Sequence, residues 1–204
     1  MEKECLFSIV TVVYNCSDLL EKTMLSVLQQ TCPDKEYIVI DGGSTDGSVD
    51  LIHTYQKQLA YWCSERDGGI YQGMNKGIHR AKGKWIIFMN AGDVFADSGV
   101  LDKITVYAKN GDNDVIYGDI LVNKGGELKL KKALEPCNKQ RMYFCHQAAF
   151  VRTAIMKEHL FDVRFRMSAD FYFFKRCYLS GCRFLHVHVP VAVYDRTGVS
   201  NTRK

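Results

Sequence analysis

Leu6 to Val13 is a nearly continuous apolar, β-branched run, and a strand of that kind needs burial on both faces, as in a parallel sheet covered by helices. The chain that follows keeps to this scheme. Asp18 with Glu21 three residues on reads as a helix N-cap and its reciprocal partner, and Leu20, Met24, Val27 and Leu28 then share one helical face, which Thr31-Cys-Pro33 ends. Tyr37 to Ile40 is a second strand. It runs into the turn Asp41-Gly-Gly-Ser-Thr-Asp-Gly47, after which Leu51, Ile52, Tyr55 and Leu59 mark another helix. The alternation continues with a strand at Tyr61 to Ser64 and a helix faced by Ile70, Met74 and Ile78 that ends near Gly83. A buried strand at Trp85 to Met89, a helical stretch from Asp97 to Ala108 and a strand at Val115 to Gly118 complete it.

Beyond Asp119 the order changes. A hairpin turns at Lys124-Gly-Gly-Glu127, a strand covers Gln147 to Val151, a helix carries Phe171, Phe174 and Tyr178 along one face, and Arg183 to Tyr194 forms one or two last strands. No internal repeat or linker interrupts the 204 residues. The expectation is one α/β domain over residues 1–204, with a mainly parallel central sheet flanked by helices. A composition of 47% hydrophobic and 25% charged residues with three prolines excludes a disordered or collagen-like chain. No apolar run approaches the roughly 18 residues that span a bilayer, and Met1-Glu-Lys-Glu-Cys5 lacks the basic end and apolar run of a signal peptide, so a cytoplasmic location is expected. The eight cysteines include no CxxC pair and read as reduced thiols; Cys137, Cys145 and His146 fit no zinc-finger or ribbon spacing.

The net charge of +4 hides an asymmetry. Residues 1–100 hold 9 Lys/Arg against 13 Asp/Glu, whereas residues 101–204 hold 18 against 10. Lys124, Lys129, Lys131, Lys132, Lys139 and Arg141 face only Glu127 and Glu135 in their stretch. Such a surface suits an anionic membrane or a phosphate-bearing substrate, although a solvated face is the plainer explanation.

Asp41, Asp67 and Asp93 stand at or just beyond strand ends, and in a parallel sheet those ends converge on one crevice. Each alone could be a turn-forming Asp beside glycine. Together they would repel a diphosphate unless a hard divalent cation, Mg2+ or Mn2+, lay between, with Asp93 as the candidate ligand. The Asp41 to Gly47 turn has neither the spacing nor the lysine of a P-loop, and it is not GxGxxG.

These residues resemble a known family. Thr11-Val-Val-Tyr-Asn15, Ser26-Val-Leu-Gln-Gln-Thr31 with Pro33, Tyr37-Ile-Val-Ile-Asp-Gly-Gly-Ser-Thr-Asp-Gly47, Ser64-Glu-Arg-Asp-Gly-Gly-Ile-Tyr71, Gly73-Met-Asn-Lys-Gly77, Gly83 and Asn90-Ala-Gly-Asp93 look like the first half of family 2 glycosyltransferases, which have the GT-A fold. The resemblance implies that residues 1–118 form a nucleotide-sugar half, in which Thr11, Val13, Tyr14 and Asp41 hold base and ribose and Asp67, Asn75, Asn90 and Asp93 lie close to the donor. Asp93 looks like the last acid of the family's DxD-type metal motif, whose first acid is replaced in Asn90-Ala-Gly-Asp93. Residues 119–204 match more loosely as an acceptor half. Tyr117-Gly-Asp119, Cys145-His-Gln147, Ser168-Ala-Asp170 and the closing loop Arg196-Thr-Gly-Val-Ser200 are similar to small bacterial members. By that resemblance Asp170 is the catalytic base.

The implied activity is inverting transfer of a sugar from a nucleotide-diphosphate donor, UDP-linked by preference, to a hydroxyl on a glycan or lipid-linked glycan in surface polysaccharide assembly. A peripheral place at the inner face of the membrane is compatible with the basic stretch, and no nucleic-acid partner is implied. His146 reads first as a structural group. His186 and His188 share a strand face, and His188 is a candidate for the histidine that completes the metal shell in some GT-A enzymes. A catalytically silent nucleotide-sugar module and a sugar nucleotidyltransferase are the rival readings.

Overall fold

A computed structural model describes residues 5–194 apart from 125, 140 and 142; the Met1 to Glu4 start and the Arg196 to Ser200 loop lie outside the described residues. Strand β1 (Phe7–Val13) is buried at every position. It pairs in parallel with β2 (Lys35–Asp41) on one side and β4 (Trp85–Phe88) on the other, and β3 (Tyr61–Ser64) extends the parallel ladder beyond β2.

Helix α1 (Ser17–Leu28) follows β1, α2 (Ser48–Tyr55) follows β2, and α3 (Ile70–Arg80) follows β3. Then come a two-residue strand β5 (Val94–Phe95), α4 (Val100–Lys109), the long β6 (Val115–Lys124), its hairpin partner β7 (Glu127–Lys131), β8 (Ala149–Arg152), α5 (Thr153–Glu158), α6 (Ala169–Leu179) and β9 (Phe184–Tyr194). The strand order is β3-β2-β1-β4-β8-β6-β9-β5, with β7 attached to β6. Only the first-half strands are uniformly parallel. Strand β8 runs antiparallel to both β4 and β6, and β5 antiparallel to β9, so the second half makes the sheet mixed.

Alternation along β1 sorts the core into two layers. Phe7, Ile9 and Val13 face α1 and α4 with Leu20, Met24, Val27, Trp85 and Ile104, while Val10 and Val12 face α3 and α6 with Met74, Ile78, Phe173 and Phe174. Helix α3 can lie this close to β1 because Gly73 and Gly77, one turn apart, present no side chain. A Cβ at Gly73 would come 2.7 Å from Val12 Cγ1, and one at Gly77 would collide with Val10 Cγ1.

Three local expectations need correction. Asp18 does not cap α1: the N-cap is Cys16, the Ser17 amide donates to Asp46 Oδ2 at 2.8 Å, and Glu21 instead accepts from Tyr55 of α2. Asp46 also accepts from the Ser48 amide and hydroxyl, so one carboxylate serves the starts of two helices. Burial works against its charge, but these hydrogen bonds prevail and hold its pKa at about 2. The buried face of α6 is Ala169, Phe173, Phe174 and Cys177 rather than one centred on Phe171, Phe174 and Tyr178. Strand β5 and helix α5, the latter only six residues long, are missing from the sequence reading because both are too short to leave a periodic signal.

Candidate active site

The carboxyl ends of β1, β2 and β4 open on one edge of the sheet. At the end of β1, Asn15 adopts a left-handed φ of 46°, and its amide donates to Ser44 Oγ while its side-chain oxygen accepts from the Thr45 amide. The turn after β2 is thereby locked against the end of β1. Asp41 is fully buried under that turn. Its Oδ2 accepts from the amides of Gly43 and Ser44, both at 2.9 Å, and from Ser64 Oγ at 2.6 Å, whereas its Oδ1 is buried with no partner. An orphaned carboxylate oxygen at a crevice is an acceptor held ready for a donor group. Asp67 lies beside it: Oδ1 accepts from the Gly69 amide, and Oδ2 packs over Gly42 and Gly73, 3.2 Å from where a Cβ on either would be.

The other residues expected at the donor fall into two groups. Tyr14 is 65% exposed at the mouth, free to lie against a flat ligand. Thr11 and Val13 are buried in β1. The Thr11 hydroxyl donates to Met89 O and pairs with Tyr37, and the Val13 side chain belongs to the core, so only their backbone borders the edge. The Asn75 side chain is engaged within the protein. Its amide bonds both the carbonyl and the N–H of Phe161, at 2.8 and 3.0 Å, clamping α3 to the second half.

Beyond β4, the Asn90 to Asp93 turn is pinned by α1. The Asp93 amide donates to Asn90 O, the Gly92 amide donates to Thr23 Oγ1, and the Thr23 hydroxyl donates to Asp93 O. Gln147 Nε2 donates to Asp93 Oδ1 at 3.2 Å, and the buried Asn90 Oδ1 has no partner. A carboxylate and an unpaired amide oxygen on one rigid turn form a hard-oxygen donor set, which fits Mg2+ or Mn2+ and not a thiophilic ion.

Asp170 faces this turn from the start of α6, one residue inside an N-terminus whose cap, Ser168, has a φ of 68°. Its side chain is 16% exposed. Tyr71 Oη donates to Oδ1 at 3.0 Å, and His146 Nδ1 lies 3.4 Å from Oδ2. On the other edge of the imidazole, His146 Nε2 lies 3.3 Å from Asn90 Nδ2, so the chain Tyr71–Asp170–His146–Asn90 links both halves. Desolvation alone would raise the Asp170 pKa, but the hydrogen bond and charge of His146, with the Tyr71 hydroxyl and the Phe171 amide, hold it below the ordinary carboxylate value. Burial opposes a charged His146, yet Asp170, and Asp93 beyond it, keep its pKa above the usual imidazole value. Burial leads in pushing up the Tyr71 hydroxyl, with Asp170 adding to it, so Tyr71 stays protonated and remains a donor.

Tyr71, and His146 that reads first from sequence as a structural group, are therefore both tied to Asp170. The Cys145-His-Gln147 motif was the available signal. Cys145 is pushed up mainly by burial; the charge of Lys131 lowers it, and those of Asp93 and Asp170 raise it. Lys131 is thus the lysine of the basic stretch whose charge reaches this centre. His188 stands not in the Asp93 turn's set but with Asp119 and His186 on β6 and β9.

Comparison with known proteins agrees with this geometry. The sequence model of glycosyl transferase family 2 matches residues 8–176. A PGL/p-HBAD biosynthesis glycosyltransferase of Mycobacterium tuberculosis is 30% identical over 97% of this chain and 80% of its own length, and an uncharacterized glycosyltransferase of the same species is 34% identical over 97% and 78%. Among solved structures, S. aureus TarS 1-349 in complex with UDP-GlcNAc superposes with a TM-score of 0.82 at 19% identity, over 98% of this chain and 61% of that one. A Pyrobaculum calidifontis mannosyltransferase in complex with GDP-Man and Mn2+ gives 0.73 at 14%, over 92% and 56%. The chain thus spans about three-fifths of the TarS chain it matches. With the family's sequence signature over most of its length and the parallel β3-β2-β1-β4 ladder in its first half, the chain belongs to glycosyl transferase family 2 and has the GT-A fold.

Proposed function

We propose that this protein is an inverting glycosyltransferase that moves a sugar from a UDP-linked donor to a hydroxyl acceptor in surface polysaccharide or glycolipid assembly, with residues 1–118 serving the donor and 119–204 the acceptor. The observation that carries the proposal is Asp170: an ionised carboxylate, fixed by Tyr71 and His146, facing the Asn90–Asp93 turn. In a single in-line displacement the acceptor oxygen bonds to the anomeric carbon as the bond to the diphosphate oxygen breaks. The hydroxyl proton passes to Asp170. Tyr14 lies against the base, Asp41 Oδ1 accepts from the nucleoside, and Asp67 borders the sugar or ribose; Thr11 and Val13 contribute backbone, and Asn75 supports the wall through Phe161. Asp93, with Asn90 Oδ1, would hold Mn2+ or Mg2+, which supplies positive charge for the diphosphate. The names of the relatives support the broad class, and the neighbours' UDP-GlcNAc and GDP-Man support a nucleotide-sugar donor.

The replaced first acid of the metal motif, within Asn90-Ala-Gly-Asp93, favours a second reading, a module that binds nucleotide-sugar without transferring it. One experiment separates the two. The protein is incubated with UDP-sugars, Mn2+ and a lipid-linked glycan extract, and nucleotide release is measured with and without the extract. Acceptor-dependent UDP release with an inverted anomeric configuration by NMR is expected. Binding without release would favour the silent module, a retained anomer would exclude single displacement, and pyrophosphate release would indicate a nucleotidyltransferase.

A further inference from the structure

Strands β6 and β9 run parallel and in register from Val115/Phe184 to Tyr117/His186, and then the register breaks: Asp119 pairs with Pro190 and Ile120 with Ala192. The surplus residues of β9 bulge over Gly118, where a Cβ would stand 2.5 Å from Val189 O and 2.6 Å from Val191 Cγ2. Only glycine admits that crossing, and His188 lies in the surplus stretch between His186, still in register with Tyr117, and Pro190, opposite Asp119. His186 Nε2 lies 2.9 Å from Asp119 Oδ1, and one ligand-capable atom each of Asp119, His186 and His188 lies within 4.8 Å of the others. Among the described residues, this is where three metal-capable side chains converge.

The surroundings hold the group in place. The Tyr117 ring stacks on His186 with centroids 5.0 Å apart and planes 5° from parallel, and His188 packs edge-on at 4.5 Å. Asp119 is 2% exposed and its Oδ1 also accepts from the Ala133 amide at 2.8 Å, whereas His188 is exposed, leaving one side open to solvent. Glu135 Oε1 stands 3.6 Å from Nδ1, the far nitrogen of His186, and its other oxygen is fixed by Tyr117 Oη at 2.9 Å. Closing that gap by a few tenths of an ångström would let Nδ1–H donate to Glu135 and leave Nε2 unprotonated beside Asp119. That is the carboxylate–histidine–metal arrangement by which outer carboxylates select the ligating tautomer.

We propose that Asp119, His186 and His188 form a binding site for a divalent transition-metal ion of the Zn2+ class, separate from the oxygen ligands of the Asp93 turn. Two imidazoles and one carboxylate suit such an ion and not Mg2+ or Ca2+, which take oxygen. Bonds of roughly 2.0 Å at tetrahedral angles set ligand atoms about 3.3 Å apart. The Asp119–His186 edge of 2.9 Å needs slight opening, and a rotation of the exposed His188 brings in the third ligand, with the fourth position left to water. The ion would fasten β9 to β6 and, through the Ala133 amide, hold the segment leading to Glu135. With no carboxylate pair and no phosphate contact, its role is a staple in the acceptor half.

Cobalt titration of the reduced, folded chain is the test, because Co2+ takes Zn2+ positions and its visible spectrum reports the ligands. One equivalent should bind at micromolar concentration with tetrahedral d–d bands and no thiolate charge-transfer band, and saturating Zn2+ should bleach them. His188→Ala, at an exposed position, should fold with an unchanged melting temperature in the metal-free state and lose the bands. Asp119→Asn should weaken binding at least 10-fold, while Asp93→Ala should keep it. In the wild type, Zn2+ at 100 times its dissociation constant should raise the melting temperature by roughly 5–10 °C. A thiolate band would assign the ion to the eight cysteines and overturn the site. Persistence of the d–d bands in His188→Ala, their loss in Asp93→Ala, or absence of micromolar binding would each overturn it too.

Discussion

His146 Nδ1 stands 3.4 Å from Asp170 Oδ2, and each group favours the charged form of the other: the imidazole pKa is raised and the carboxylate pKa lowered by the contact. The pairing keeps Asp170 ionised when an acceptor arrives, at the cost of basicity. Asp170→Asn retains size and the ability to accept from Tyr71 but cannot take a proton. The sugar-transfer rate should fall roughly 100-fold or more with UDP affinity unchanged, measured by single-turnover transfer and calorimetry. A near wild-type rate would show that another group is the base.

The same pair sets a pH signature. A histidine whose folded pKa is raised contributes stability that is full below its unfolded value, near 6.5, and is lost as pH rises through the folded pKa. A carboxylate whose folded pKa is lowered contributes stability present above its unfolded value, near 3.9, and lost as pH falls through the folded pKa. The contact is therefore strongest between about pH 4 and 6.5. The melting-temperature gap between wild type and His146→Gln should be widest in that window and shrink on going to pH 9. The variant should also move the acid limb of kcat/KM to higher pH, because Asp170 loses its cationic neighbour. An unmoved acid limb would reduce His146 to a packing residue.

Asp41 and Asp93 should separate in their ligand dependence. Asp41→Asn keeps an oxygen for the Gly43 and Ser44 amides and the Ser64 hydroxyl but puts an amide group where the unpartnered Oδ1 stands. UDP affinity should drop about 10- to 100-fold with or without Mn2+, as expected when a hydrogen bond to a charged acceptor is lost. Asp93→Ala should instead abolish the Mn2+-dependent increment and spare metal-free binding. If calorimetry shows the increment intact in Asp93→Ala, the ion is held elsewhere.

The first half of the fold was legible because its signals are local. The apolar runs of β1 and β4 mark strands buried on both faces, and Asp41, Asp67 and Asp93 follow strand ends whose common edge the parallel order dictates. What was not legible depends on contacts between distant residues. Tyr71 and Asp170 are 99 positions apart, and only the packing of α3 against α6 makes one the donor to the other. The capping of α1 by Asp46 in place of Asp18 has the same origin: a local motif lost to an acceptor delivered by the next loop. The pairing of both Asn75 amide atoms with the Phe161 backbone, 86 residues on, was equally out of reach of its motif.

Gly77 offers a test of the fold itself. A methyl group there would collide with Val10 Cγ1 on a fully buried strand, and neither α3 nor β1 can move without opening the layer shared with Met74 and Ile78. Gly77→Ala gains helix propensity, worth close to 1 kcal/mol, but overpacking typically costs about 1–3 kcal/mol, so a net loss is expected. Thermal unfolding should show a lower melting temperature; an increase would mean that α3 sits farther from β1 than this structure has it.

The basic stretch acquires a sharper reading from β7. All five of its residues are exposed, and Leu128 and Leu130, each 51% exposed, with Leu134 at 45%, interleave with Lys129, Lys131 and Lys132. Apolar side chains set among lysines on an edge strand suit the headgroup boundary of an anionic bilayer, where each cation contributes roughly 1 kcal/mol. Among the described residues no helix is long and apolar enough to cross a membrane. Lys131 is unsuitable for the test because its charge reaches Cys145 between Asp93 and Asp170. Lys129→Gln with Lys132→Gln should lower sedimentation with phosphatidylglycerol vesicles about 10- to 30-fold, the smaller figure reflecting the pairing of Lys129 with Glu127 at 3.0 Å. Turnover of a soluble acceptor should not change. Equal sedimentation of variant and wild type would return both lysines to the role of a solvated face, and a fall in soluble turnover would place them at the acceptor instead of the membrane.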